Sequence, residues 1–219
     1  MKKTIITLLI IPFLTVFAKA DISDANFTVG VGAAQYVAGA SVTETQDGGG
    51  GGGKLASNDT QSGVFADVQS YVFAEIGVDR FNVGVSYSVS DMSTATATNE
   101  KNGSTNSVQV DFGDMLTAYL SIDLVGGFYA KAGIVDGDIM TNESVTTSSQ
   151  SGGTVPDQDL EGTVGGIGFK HTLDTGLQLR SEILYGSYEN FSVTDTSGDK
   201  YDVNGMESLQ ANVAVAYTF

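Results

Sequence analysis

Few side chains in this 219-residue chain can do chemistry, and their spacing limits what that chemistry is. The single imidazole, His171, lies in Lys170-His171-Thr172-Leu173. A hydrolytic His needs a nucleophilic hydroxyl within hydrogen-bond reach and an acid to orient the ring. No Ser stands two residues on, so His171 reads as an amphipathic interfacial residue. With no Cys, thiol catalysis and disulfides are both excluded. Asp136-Gly137-Asp138 and the acids Asp195, Asp199 and Asp202 suit hard cations by type, but none forms a twelve-residue calcium loop. They read as solvated acid, with no metal site. Gly165-Gly166-Ile167-Gly168-Phe169-Lys170 has the glycines of a phosphate loop without the helix that must follow them. No cofactor is implied. Four charges remain, Glu75, Lys131, Arg180 and Glu182, and their role depends on the elements that carry them.

Those elements are strands. From Asn26 onward the dominant periodicity is two, and helical patterning is absent. Eight alternating segments are expected: 26–37, 64–78, 81–92, 108–122, 127–140, 160–173, 177–191 and a last one ending at Phe219. At about 11 to 16 residues they are far longer than the usual 5 to 6. One face is apolar: Phe27, Val29 and Val31 in the first segment, Phe81, Val83 and Val85 in the third, Leu177, Leu179 and Ile183 in the seventh. The opposite face carries Gly, Ser, Thr, Asn, Gln and charge, and lines the interior. The sixth segment, rich in Gly, has no evident facing. Asp114 falls on the apolar face unless Gly113 marks a bulge that turns it inward. Tyr36, Tyr87, Phe128, Tyr185, Tyr217 and Phe219 stand near segment ends and are expected to supply interfacial aromatic girdles.

The connections discriminate further. Asp79-Arg80, Asp123 to Gly126 and Asp174-Thr175-Gly176 are tight, whereas 38–63, 93–107, 141–159 and 192–205 are long and polar. The first long link contains the Gly48 to Gly53 run, a flexible linker by composition. Long and short links alternate strictly, so an up-and-down sheet places every long loop at one end. At the N-terminus, Met1-Lys2-Lys3, the apolar run Ile5 to Phe17 and Ala18-Lys19-Ala20 read as a signal peptide cleaved after Ala20. Its removal leaves 7 Lys and Arg against 26 acids, a net charge of −19. So acidic a surface excludes nucleic-acid binding, which requires cation clusters. Pro is nearly absent, and Pro156 lies in the third long link, so no predicted strand contains one. Long strands with a continuous apolar face suit a barrel inverted for lipid, because about 10 tilted residues span the bilayer and closure removes the strand edges. The predicted fold is an all-β, eight-stranded antiparallel up-and-down transmembrane β-barrel occupying residues 21–219.

The C-terminal run Val213-Ala214-Val215-Ala216-Tyr217-Thr218-Phe219 resembles the assembly signature of bacterial outer-membrane β-barrels, an alternating strand ending in an aromatic residue. Gly176-Leu177-Gln178-Leu179-Arg180-Ser181-Glu182 resembles the seventh strand of the small eight-stranded OmpA/OmpX-like group. The resemblance spans the mature chain. It implies an outer-membrane location in a Gram-negative-type bacterium, contact with outer-membrane lipids, and recognition by the barrel-assembly machinery through Val213, Val215, Tyr217 and Phe219.

A lumen of eight strands is filled by side chains. Glu75, Lys131, Arg180 and Glu182 all point away from the apolar face at similar depth, so a cluster of two cations and two anions is expected in the lower, turn-side half of the barrel. The functional expectation is a monomeric, non-catalytic barrel with a structural, envelope-integrity or surface-contact role. A narrow solute or ion channel, a lipid-modifying outer-membrane enzyme and a soluble exported β-protein stand as alternatives.

Overall fold

The computed structural model describes residues 25–45, 58–101, 104–145, 154–196 and 198–219. The predicted signal peptide and the Gly48 to Gly53 run lie outside the described residues. Eleven strands form: β1 (Asn26–Thr45), β2 (Asn58–Val78), β3 (Phe81–Ser88), β4 (Met92–Ser93), β5 (Ala97–Lys101), β6 (Ser104–Asp123), β7 (Phe128–Val145), β8 (Gln158–Thr172), β9 (Leu177–Tyr188), β10 (Phe191–Thr194) and β11 (Lys200–Thr218). Eight of them close a ring in the order β1-β2-β3-β6-β7-β8-β9-β11, with β11 returning antiparallel to β1. That last pairing satisfies the main-chain groups of both terminal strands, which lipid would otherwise leave unpaired. β4 and β5 pair with the upper part of β6, and β10 pairs with β11.

The period-two pattern maps onto an outside and an inside. Val31, Val64, Val213 and Ile183 are all more than half exposed, as are Val68, Ile167 and Leu209. In water such a surface would be an aggregation site; in a bilayer it is the lipid contact. On β9 the alternation is unbroken along the whole strand, with Gln178, Arg180, Glu182 and Leu184 buried and Leu177, Leu179, Ile183 and Tyr185 outside. β8, whose facing the sequence leaves open, puts Leu160, Val164 and Gly168 inside and Ile167 and Phe169 outside. At the turn-side rim, Phe27 packs 6.1 Å from Phe219, and Phe128 5.3 Å from Phe169.

The structure corrects four expectations. First, six of the eight strands run further from the membrane than their apolar alternation does, whereas the third and seventh stop short of 92 and 191, at Ser88 and Tyr188. β1 continues to Thr45 and β2 starts at Asn58, inside the expected loop 38–63; β4, β5 and the start of β6 occupy 93–107; β7 continues to Val145, β8 starts at Gln158, and β10 and β11 enter 192–205. Main-chain ladders need no apolar side chains, and hydroxyl pairs replace them here: Ser41 with Ser62 at 2.7 Å, and Thr43 with Thr60 at 3.0 Å.

Second, Tyr36 is not in a girdle but buried inside the barrel, on the same side of β1 as Thr28 and Ala34. Third, β6 carries a bulge at Asp114 and Met115, which together oppose Gly137 of β7. Asp114 adopts a positive φ of 50° and stays outside, hydrogen-bonded by the Tyr87 hydroxyl, while Met115 takes the inward position. The bulge reverses the parity of β6, so Phe112 above it and Met115 within it both face the lumen.

Fourth, the interior is not polar throughout. Its upper half is an apolar core of Tyr36, Phe112, Met115, Ile139, Leu160 and Tyr188, joined by Met92, Val164, Leu184 and Met206. Polar side chains fill the lower half, and Ser208 and Gln210 reach up among the apolar side chains.

Candidate functional site

The lower lumen is where the four sequence-predicted charges meet. Glu75 lies inward on β2, Lys131 on β7, and Arg180 and Glu182 on β9, all buried. Arg180 pairs with Glu75 through both guanidinium nitrogens, Nη1 to Oε2 at 2.8 Å and Nη2 to Oε1. Its Nε donates to Gln178, and its guanidinium lies 4.7 Å from the centre of the Phe73 ring. Lys131 donates to both oxygens of Glu182, each at 3.1 Å, with its ammonium 4.0 Å above the Tyr119 ring. Removing such charges from water is expensive unless their hydrogen-bonding capacity is met. It is met closely: Tyr119 donates to Glu75 at 3.1 Å, and Glu182 also accepts from Tyr129 at 2.6 Å and Asn212 at 3.0 Å.

Several of these partners are not legible in the sequence. Tyr119, Tyr129, Phe73, Gln178 and Asn212 come from five different strands, and only the register brings them to the charges. A further layer forms the floor. Lys170 pairs with Asp123 at 2.7 Å, Asn82 donates to the same carboxylate at 3.2 Å, and the Arg80 Nε donates to the Asp123 carbonyl at 3.1 Å. The lumen is thus stacked from bottom to top as a charged floor, a layer of two buried ion pairs, a small polar zone and the apolar core.

Four aromatic rings of this stack lie over glycines directly opposite them on the neighbouring strand: Phe73 over Gly30, Tyr71 over Gly32, Tyr119 over Gly84 and Tyr129 over Gly168. The missing Cβ is the space the ring occupies. Four glycines of the barrel wall thus seat lumen rings, and three of those rings, Phe73, Tyr119 and Tyr129, touch the buried charges.

The other candidates are dispersed. His171 is exposed on the outer face of β8, opposite Leu179 of β9, with no hydrogen-bond or ion-pair partner among the described residues. Asp136 and Asp138 are on β7 in its upper half, facing outward, whereas Asp195, Asp199 and Asp202 belong to the β10–β11 hairpin above the membrane. Among the described residues no three acid or imidazole side chains converge on a metal-sized point. Gly165 to Lys170 is plain β-strand. Val213, Val215 and Tyr217 project outward from β11, and Phe219 caps it, with its amide donating to the Phe27 carbonyl.

Above the membrane, the segment before β8 ties two walls together. Thr154 exchanges hydrogen bonds with Thr196, and the Val155 amide donates to Glu143 of β7 at 3.3 Å. In the β10–β11 hairpin, Asp202 accepts from Lys200 at 2.7 Å and from the Ser192 hydroxyl. These bonds, that from Lys200 foremost, hold the Asp202 carboxyl below its ordinary range. A depressed carboxyl favours the paired hairpin above the ordinary carboxylate range, and the benefit is lost as pH falls through the folded-state value. The contribution of Asp202 to the hairpin is therefore expected to fade only below the ordinary carboxylate range. In an NMR titration, Lys200→Ala should move the Asp202 midpoint upward; an unmoved midpoint would remove Lys200 as the cause.

No family model and no curated protein matches the chain. Solved structures do. The outer membrane protein OprG from Pseudomonas aeruginosa overlays with a TM-score of 0.53 at 15% identity, covering 89% of this chain and 96% of that one. AlkL, determined in lipid bilayers, gives 0.48 at 13% identity over 90% of each chain. Neisserial surface protein A gives 0.42 at 12% identity over 88% of this chain and 97% of that one. The likeness to OprG shows the fold: this chain is built as a small antiparallel outer-membrane β-barrel.

Proposed function

We propose that the chain is an exported, monomeric outer-membrane barrel with a sealed lumen and no catalytic activity, acting as a structural element of the envelope and as a surface for contact through the strands and loops above the membrane. The observation that supports this reading is the pair of stacked charged layers, Asp123 with Lys170 below and Glu75, Arg180, Lys131 and Glu182 above. Together they place two layers of mutually paired side chains in the lumen. An ion entering from below meets two layers whose charges already neutralise each other, so it gains nothing to offset its lost hydration.

Export through cleavage after Ala20 belongs to this reading, as does assembly by the barrel machinery acting on Val213, Val215, Tyr217 and Phe219. Outward placement of those side chains leaves them free for recognition before the barrel closes. The exposed position of His171, with no hydrogen-bond or ion-pair partner among the described residues, supports the non-catalytic part.

Reconstitution into planar bilayers tests the proposal. The wild-type protein, shown to be folded by its different gel mobility before and after boiling, is expected to give no discrete conductance steps. Steps at neutral pH would turn the reading to a channel. Phospholipid hydrolysis that disappears in His171→Ala would turn it to an enzyme.

A further inference from the structure

Between the ion pairs and the apolar core lies a cavity of about 30 Å³. Its lining includes Gln69, Ser88, Thr117, Lys131, Gln210 and Asn212. Two of these side chains have an atom without a hydrogen-bond partner among the described residues: the Gln69 amide nitrogen and the Asn212 side-chain oxygen. Gln69 is 2% exposed and Asn212 6%. Leaving a buried donor and a buried acceptor unmade is destabilising by an amount that folded proteins seldom tolerate. A third polar group also lines the cavity, the Lys131 ammonium, which is bonded to Glu182 and seated over the Tyr119 ring.

We infer that this cavity is a binding site for a small, uncharged ligand that both accepts and donates hydrogen bonds, and that water is its occupant. The chemistry of the walls selects the class. A cation would lie against the Lys131 ammonium. An anion would face the Asn212 oxygen, with the Glu182 carboxylate directly behind that amide. A neutral ligand can accept from Gln69 and Lys131 while donating to Asn212. A water needs roughly 10–15 Å³ of such volume, so the space holds on the order of two. The ion-pair layer lies below the site, and Tyr36, Met115, Val135, Val164 and Leu184 border it on the side of the apolar core. This inference stands on the cavity and its two unpaired atoms, and does not require the lumen to be sealed to ions.

Two measurements test it, one of them on the unaltered protein. In solid-state NMR of the protein in lipid bilayers, magnetisation starting on water is expected to reach the side-chain amides of both Gln69 and Asn212. Absence of transfer to both, with the exposed Gln158 amide as a positive control, would overturn the inference. The second measurement reads the sign of a stability change. Gln69→Met in a dry cavity removes an unpaired donor and strengthens the fold; in a hydrated one it strands a water and weakens it. The expected result is a shift of the unfolding equilibrium toward the unfolded state, roughly tenfold. A variant more stable than the wild type would mean a dry cavity.

Discussion

Arg180→Ala is expected to destabilise the barrel by about 3–5 kcal/mol, because it removes one partner of a buried pair and leaves the Glu75 carboxylate uncompensated. Glu75 is only 3% exposed, and of its partners only the Tyr119 hydroxyl would remain. The loss reaches beyond the pair, since the guanidinium also packs on Phe73 and holds Gln178. Measured as the urea midpoint of unfolding in detergent, the change should be far larger than that of an outward substitution such as Val213→Ala. Replacing both partners, Glu75→Leu with Arg180→Met, should recover most of the stability, because well-packed apolar side chains are often as stable as the ion pair they replace. The two variants then separate charge from volume. Arg180→Ala also opens a gap in the layer and is expected to admit ions, whereas the double variant keeps the cross-section filled. If Arg180→Ala unfolds with the wild type and conducts no better, the ion pairs are neither a plug nor a stabilising layer.

Why the four charges were legible and their surroundings were not follows from the geometry of a strand. Parity alone puts Arg180 and Glu182 on one side of β9 and Leu179 and Ile183 on the other, and distance from the nearest turn sets their depth. Parity cannot say what an apolar residue touches. Leu184 and Ile183 are adjacent and equally apolar, yet Leu184 is buried in the lumen and Ile183 faces lipid. The apolar upper core was for this reason invisible as a type of residue, although the alternation on β9 already placed Leu184 inside. Tyr36 shows the reverse: its aromatic type suggests a girdle, but its even position on β1 puts it inside. The bulge at Asp114 depends on one backbone conformation that no periodicity encodes. It shifts the parity of β6 above it, so that Val110 and Phe112 pack in the lumen. The tops of the strands are hidden in the sequence because hydroxyl-rich ladders such as Ser41 with Ser62 look like loop by composition.

The glycines lay deepest, because their function is visible only once strand register is known, and they yield the second large expectation. Gly168 faces Tyr129 across β8 and β7, and Gly84 faces Tyr119 across β3 and β6. A Cβ on Gly168 would stand 2.6 Å from the Tyr129 hydroxyl oxygen and 2.8 Å from Cε1 of its ring. On Gly84 it would stand 2.6 Å from the Tyr119 hydroxyl and 2.8 Å from the Ala74 carbonyl oxygen. Even alanine must therefore push the ring aside. For Gly168 the displaced ring takes its hydroxyl from Glu182, a bond of 2.6 Å to a buried carboxylate. Crowding and the lost bond together should make Gly168→Ala unfavourable by about 2–4 kcal/mol. Gly165→Ala is the control three residues away on the same strand, where an added Cβ meets nothing closer than the Lys131 carbonyl at 3.5 Å. It should be nearly neutral. The mechanism is tested by coupling. In the Gly168→Ala background the ring is already displaced, so Tyr129→Ala should have a smaller effect there than in the wild type. Urea midpoints of the four proteins in detergent give the cycle directly. Additive effects, or a Gly165→Ala as damaging as Gly168→Ala, would mean that the glycines serve the strand itself and not the rings that hold the charges.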